Sequence, residues 1–295
     1  MNKNIEVFRN EVIEALAREG ITATVSDTIK NGVVSHCVKV IPAPTDDDEI
    51  HGRLCPNIAL DTLTHIDIDK IVDKIKYVLE NNENINATGY RAEPDFEKVW
   101  LFLSRGEAED VILREFKDGL SYGVRVYVDL PDGDFGSIKL TESYCKMYGK
   151  DVDELFEKAK KNLHESVKIC SMEETIRRIA EENGFPTNAV PILFPMEDSG
   201  MFVATTANSI DGGAILTDNE AFEKFREEHG DFWILPSSIH ELIFVPCNRC
   251  PDNKESRGHF LSMINKVNVG TVPDGEVLSN SLFKFDADGL KVIEA

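Results

Sequence analysis

The residues best placed to do chemistry sit close together near the C-terminus. Ser237, Ser238, His240 and Glu241 form a small polar knot between two apolar runs, Phe232 to Leu235 and Leu242 to Val245. A serine nucleophile needs a base within hydrogen-bond reach, and the base needs an orienting carboxylate. Ser238 and His240 are two apart, so on an extended strand they share a face, while Glu241 points to the other unless a turn intervenes. Ser238, His240 and Glu241 are therefore the candidate catalytic residues of a hydrolase. No Gly-x-Ser-x-Gly elbow frames Ser237 or Ser238, so the motif that usually presents such a serine is missing there. The competing reading is a turn in which the serines bond to backbone and the apolar runs are two strands.

Pro246-Cys247-Asn248-Arg249-Cys250 follows at once. Pro-Cys-x-x-Cys is half of the zinc signature of nucleobase deaminases, whose chemistry also needs a His-x-Glu for the third ligand and the proton shuttle. The chain has no His-x-Glu. A structural zinc takes four ligands; Cys247 and Cys250 are the candidate metal ligands, with His240 or His259 to complete the set, and zinc is the one cofactor this pattern could hold. Two reduced thiols in a loop, with no cofactor, is the leading reading for a cytoplasmic protein. Asp134-Phe135-Gly136 resembles the magnesium tripeptide of kinases, but neither a glycine-rich phosphate loop nor a His-Arg-Asp loop accompanies it. His-Glu-x-x-His, the Walker loop and Gly-x-Gly-x-x-Gly are all absent, and the acidic run Asp46 to Glu49 lacks the ligand order of an EF-hand.

The elements that must position these residues can be read from periodicity. Ile5, Phe8, Val12 and Leu16 recur at helical spacing before Gly20. Ile21–Thr28 and Val33–Ile41 read as strands joined by Asn31-Gly32, a hairpin signal, and Cys55–Leu60 as a third strand. Ile68 to Leu79 is an amphipathic helix. The asparagine-rich stretch Asn81 to Asn86 is a linker candidate, dividing an N-terminal helix–hairpin–helix lobe (1–90) from a C-terminal domain (91–295). Beyond it Phe96, Val99, Trp100 and Leu103 suggest a helix, and Val124, Val126, Val128 and Leu130 a strand. Thr141 and Asp151 cap two helices, and Met172–Asn183 is a third. Strands are expected at Ile192–Met196, Met201–Thr206 and Gly213–Leu216. A helix follows at Asp218–Glu228, another at His259–Val267, and a terminal hairpin turns over Asp288-Gly289. Helices and hairpins without regular strand–helix alternation give an α+β fold with mixed, mainly antiparallel sheets and packed helices.

Three blocks resemble an uncharacterised family of bacterial proteins known as a domain of unknown function. Thr141 to Asn162 is similar to its capped helix pair. Phe232 to Pro246, with Leu-Pro-Ser-Ser-Ile-His-Glu, is similar to its most recognisable block, and Pro273 to Phe285, with Val277-Leu278-Ser279-Asn280, to its closing segment. The first eighty residues match in layout only, and the Cys247–Cys250 pair is not part of the pattern. The resemblance implies the fold and a bacterial cytoplasmic setting, and no catalytic residue.

Charge sets the remaining expectations. Of 295 residues, 53 are acidic and 32 basic, a formal net of -21. Such a chain repels phosphate backbones and anionic membranes, so direct nucleic-acid binding and membrane association are not expected. No apolar run reaches the ~20 residues that span a bilayer, the N-terminus lacks a secretory signal, and the six scattered cysteines fit a reducing cytoplasm. The leading reading is a non-enzymatic binding or regulatory protein, acting through an acidic surface on a protein partner that would be basic; an immunity or anti-defence protein is one concrete version. The alternatives are the hydrolase at Ser238, His240 and Glu241, a metal-binding protein at Cys247 and Cys250, and a structural component of a larger assembly.

Overall fold

The computed structural model describes residues 4–41, 57–81, 94–107, 110–129, 135–184 and 199–293. The acidic run 46–49, most of the linker candidate (82–86) and the strand expected at 192–196 lie outside them. The chain divides into two compact units, residues 1–95 with 126–138 and residues 96–125 with 139–295. Helices and three mainly antiparallel sheets make it an α+β protein.

The first unit opens with helix α1 (Ile5–Arg18), capped where the Asn4 side chain accepts the Glu6 N–H at 2.9 Å. Strands β1 (Thr22–Lys30) and β2 (Val33–Ile41) form the expected hairpin. Asn31 and Gly32 both take positive φ, 51° and 75°, the geometry whose twist matches that of the flanking strands. Strand β3 (Asn57–Ala59) adds to β2. Helix α2 (Ile68–Asn81) packs with α1 over this sheet. Phe8, Val12 and Leu16 from α1 meet Val38 and Val40 from β2 and Ile71, Val72 and Ile75 from α2 in one core. Arg9, 3% exposed, is held by Glu6 at 2.6 Å and by Asp27.

In the second unit the segment expected to be a helix is strand β4 (Val99–Ser104). All its residues are buried except Trp100, which is half-buried. A short apolar run bounded by polar residues fits a strand covered on both faces as well as a helix, and burial on both sides decides for the strand. It lies in the order β4-β6-β5 with β5 (Leu113–Glu115) and β6 (Ser121–Asp129). Strand β7 (Phe135–Lys139) pairs with β6; the end of β6 and all of β7 but Lys139 belong to the first unit. Helices α3 (Glu142–Met147) and α4 (Val152–Ser166) follow, capped by Thr141 and Asp151 as expected. Strand β8 (Val167–Ser171) leads into α5 (Met172–Glu182) through a capping box made by Ser171 and Glu174.

The main sheet has six strands in the order β13-β12-β10-β11-β9-β8. Its other members are β9 (Phe202–Thr206), β10 (Phe232–Pro236), β11 (Leu242–Pro246), β12 (Leu282–Asp286) and β13 (Gly289–Ile293). Strand alternation sends Phe232, Phe244 and Phe285 to one face, where Phe222 and Phe225 of helix α6 (Asn219–His229) pack on them. Trp233, Leu235 and Val245 go to the other face, against Phe260 and Ile264 of helix α7 (Lys254–Gly270). Cover on both faces explains the unbroken apolar runs.

Residues 213–216, expected as a strand, lie in a 3-10 helix, Gly212–Thr217. It begins at Asp211, whose φ is 57°. A Cβ on Gly212 would run into the His240 carbonyl oxygen, and one on Gly213 would come within 3.0 Å of the Ile239 carbonyl oxygen. The two glycines let this turn press directly on the β10–β11 loop. Among the described residues no helix is long and apolar enough to cross a membrane.

Candidate functional site

Strands β10 and β11 end their pairing at Pro236 and Leu242, so Ser237 to Glu241 is a five-residue loop. Its polar groups are satisfied locally. The Ser238 hydroxyl oxygen accepts the His240 N–H at 3.0 Å, and the Ser237 hydroxyl donates to the Glu241 carboxylate at 3.2 Å. The His240 ring faces a different set of partners. Its Nδ1 accepts the Asp211 N–H at 3.2 Å, which leaves the proton of the neutral ring on Nε2, and Nε2 stands 4.0 Å from the Glu276 carboxylate. The His240 carbonyl accepts the Thr205 hydroxyl at 2.8 Å, and the Ile239 N–H donates to the Glu276 carbonyl at 2.9 Å. Among the described residues no hydrogen bond joins the Ser238 hydroxyl or the Glu241 carboxylate to the imidazole. The three sequence candidates therefore share a loop without forming a relay; what reaches His240 instead is Asp211 and Glu276.

Behind His240 lies a charge cluster that spacing in the sequence does not reveal. The Asp211 side chain is 4% exposed, and one of its oxygens is 3.1 Å from Arg125 Nε on β6. The Glu107 side chain, 3% exposed, pairs with Lys139 at the end of β7 and accepts the Ser104 hydroxyl at 2.9 Å. Phe102 of β4 serves both cations: its ring centre is 4.8 Å from the Arg125 guanidinium carbon and 5.3 Å from Lys139 Nζ. Burial pushes the Lys139 ammonium below its ordinary range and the adjacent Arg125 adds to this, while Glu107 and Asp211 oppose it. The loop that carries Asp211 is held in an uncommon shape. Ser209 and Asp211 both have positive φ, and the Thr206 hydroxyl fixes the loop by lying 2.6 Å from the Ile210 carbonyl oxygen and accepting the Ile210 N–H at 3.1 Å. In the sequence Arg125 falls between Val124 and Val126 of an alternating strand, a solvent-facing position, and nothing marks Lys139. Their partners are 86 and 32 residues away, beyond the reach of any local pattern.

Cys247 and Cys250 follow β11, and both side chains pack on the Trp233–Phe260 core. Trp233 donates its indole N–H to the Cys250 carbonyl at 2.9 Å. Burial pushes the Cys247 thiol up to about 11, so at neutral pH it is a protonated, partly buried thiol, whereas zinc binds thiolate. Among the described residues no group of three His, Cys, Asp or Glu side chains is placed to hold a metal ion. The pair supplies two of the four donors a structural zinc takes.

A family model described as a family of unknown function, DUF5688, matches residues 104–287. The chain belongs to the DUF5688 family. No curated protein and no solved structure matches it. The DUF5688 match spans Glu107, Arg125, Lys139, Asp211, His240 and Glu276, and with them the Phe232–Pro246 block.

This DUF5688 protein has a second candidate surface ahead of the matched residues, in its first unit. Glu11 and Glu14 of α1 and Asp67 and Asp69 at the start of α2 line a cavity of about 680 Å³, with Arg18 and His65. Asp67 caps α2 by accepting the Asp69 N–H at 3.0 Å. Among the described residues four carboxylates and one guanidinium line the groove, an acidic wall that suits a cationic side chain rather than an apolar one.

Proposed function

We propose that this DUF5688 protein is a binding protein that takes up a lysine- or arginine-rich protein partner through its acidic surface. The observation that carries the reading is the α1–α2 groove, where Glu11, Glu14, Asp67 and Asp69 gather around one cavity. The overall excess of 53 acidic over 32 basic residues supports it, because a strong net charge steers an oppositely charged partner to its docking site. The alternative, a hydrolase at Ser238, His240 and Glu241, would need the Ser238 hydroxyl to leave the His240 N–H and turn to the ring.

The test is binding of a fluorescent lysine-rich peptide to the full chain, followed by anisotropy. Affinity is expected to fall steeply as salt is raised. The charge-reversed pair Glu14→Lys and Asp69→Lys is expected to weaken binding by about tenfold or more. The control pair Glu181→Lys and Glu182→Lys on α5 makes the same change in net charge elsewhere, and is expected to cost about twofold or less. Equal losses from both pairs would mean diffuse attraction only and would overturn the groove as the docking site.

A further inference from the structure

A cavity of about 350 Å³ lies beside α6 in the second unit, remote in sequence from the acidic groove and different in character. Its volume is at the lower end of small-molecule pockets, which run from about 300 to 1,000 Å³. Helix α6 contributes Ala221, Lys224, Phe225 and Glu228, the three- and four-residue spacing that puts side chains on one helix face. Val167 and Ile169 come from alternate positions of β8, and Phe202 from β9.

The floor is apolar and partly aromatic. The Phe202 and Phe225 rings meet edge to face with centres 5.1 Å apart. The His229 ring lies 4.6 Å from the first and 4.4 Å from the second. Such a surface accepts an aryl or branched alkyl group.

The rim decides the charge of the ligand. His164, at the end of α4, has its Nδ1 2.8 Å from the Asp218 carboxylate and its Nε2 3.6 Å from Glu220. Glu228 stands 3.8 Å from His229 Nε2. Of these carboxylates only Glu228 lines the cavity, and it lies beside His229; Asp218 and Glu220 face His164 from outside the lining. Lys224 is exposed, lines the cavity and makes no ion pair among the described residues. The hydrogen bond with Asp218 raises the His164 imidazole's pKa.

From this arrangement we infer that the α6 cavity binds a small organic carboxylate, with the anion on Lys224 and an aryl or branched apolar body on Phe202, Phe225 and the β8 side chains. The inference does not depend on the acidic-groove reading: it concerns a different unit and a ligand of opposite charge, and either can fail alone.

The experiment is titration of the full chain by ligand-observed NMR with three probes of one size: phenylacetate, its neutral amide phenylacetamide, and the cation phenethylamine. Phenylacetate is expected to bind saturably with a Kd of about 1 mM or tighter, and the amide and amine at least about tenfold more weakly. Lys224→Glu is expected to remove phenylacetate binding, and Lys224→Met to weaken it by about tenfold, since the exposed side chain is not needed for folding. Lys266→Glu on α7, an equal charge change away from the cavity, is expected to leave Kd within about twofold. Absence of saturable phenylacetate binding would overturn the inference. So would equal binding of the amide, or equal losses from Lys224→Glu and Lys266→Glu.

Discussion

At the scale of single residues, the most consequential feature is the pairing of Glu107 with Lys139 under the His240 loop. Both came out of water, so the ion pair repays a desolvation cost and each partner depends on the other. The Glu107 side chain is 3% exposed and the Lys139 side chain 25%. Glu107→Gln keeps the shape and can still accept from the Ser104 hydroxyl, yet it leaves a largely buried ammonium without its counter-charge. This single change is expected to cost about 3 kcal/mol, within the range for a broken buried pair. The double change Glu107→Leu with Lys139→Met removes both charges and is expected to recover most of that loss. Urea unfolding of the wild type, Glu107→Leu, Lys139→Met and the double variant closes the cycle. A double variant as unstable as the sum of the singles would show that the pair acts through packing rather than charge. His240 belongs to the same argument, because the Asp211 backbone that fixes its ring is itself anchored through the Asp211–Arg125 pair.

At the scale of elements, the junction of α4 and α6 shows one side chain serving two structures. Asp218 caps α6 by accepting the Ala221 N–H at 3.0 Å and also receives His164 at 2.8 Å. Asp218→Asn keeps a good capping oxygen and gives up the charge, while Asp218→Ala loses both. The His164 imidazole has its pKa raised in the folded chain, first by this hydrogen bond. Its contribution is therefore fully present below the unfolded-state value and is lost as pH rises through the folded-state value. Asp218→Asn is expected to destabilise the protein at pH 5.5 and to matter much less at pH 8.5, whereas Asp218→Ala is expected to cost about 1 kcal/mol at pH 8.5, where the cap alone is lost, and more at pH 5.5, measured by urea unfolding. A pH-independent Asp218→Asn effect would show that His164 adds nothing through charge. This junction was half legible in the sequence. Asp218 stands directly before an apolar stripe and announces a helix start, but nothing near it points to His164, 54 residues earlier. The same division runs through the fold. The Asn31-Gly32 hairpin, the Thr141 and Asp151 caps and the β10–β11 strands follow from local spacing. Strand β4 did not, because cover on both faces erases the alternation that marks a strand. The 3-10 turn at Gly212 to Thr217 did not either, because the need for its two glycines arises from the His240 loop that they touch. Of the candidate site, the sequence pointed to His240 while the groups that bind its ring came from elsewhere in the chain.

At the scale of the whole molecule, charge is the dominant long-range term. A formal net of -21 raises the free energy of the compact state by self-repulsion, which salt screens. Surface ion pairs such as Lys146–Glu142 and Arg177–Glu173 act in the opposite sense, since screening weakens them. Each is worth about 0–1 kcal/mol, and at most 32 basic side chains are present to pair with 53 carboxylates, so the repulsion has the larger reserve. Raising NaCl from 10 to 150 mM shortens the screening length from about 30 Å to about 8 Å, which removes most of the repulsion between distant carboxylates and leaves contact pairs largely intact. The unfolding temperature is accordingly expected to rise by several degrees over this interval in differential scanning calorimetry. Sodium sulfate strengthens apolar burial as well as screening, so NaCl is the discriminating salt. A flat or falling response to NaCl would mean that the acidic residues are already neutralised by local pairing. In that case the long-range attraction on which the capture of a basic partner depends would be lost with the repulsion. The same titration therefore bears on stability and on the proposed binding together.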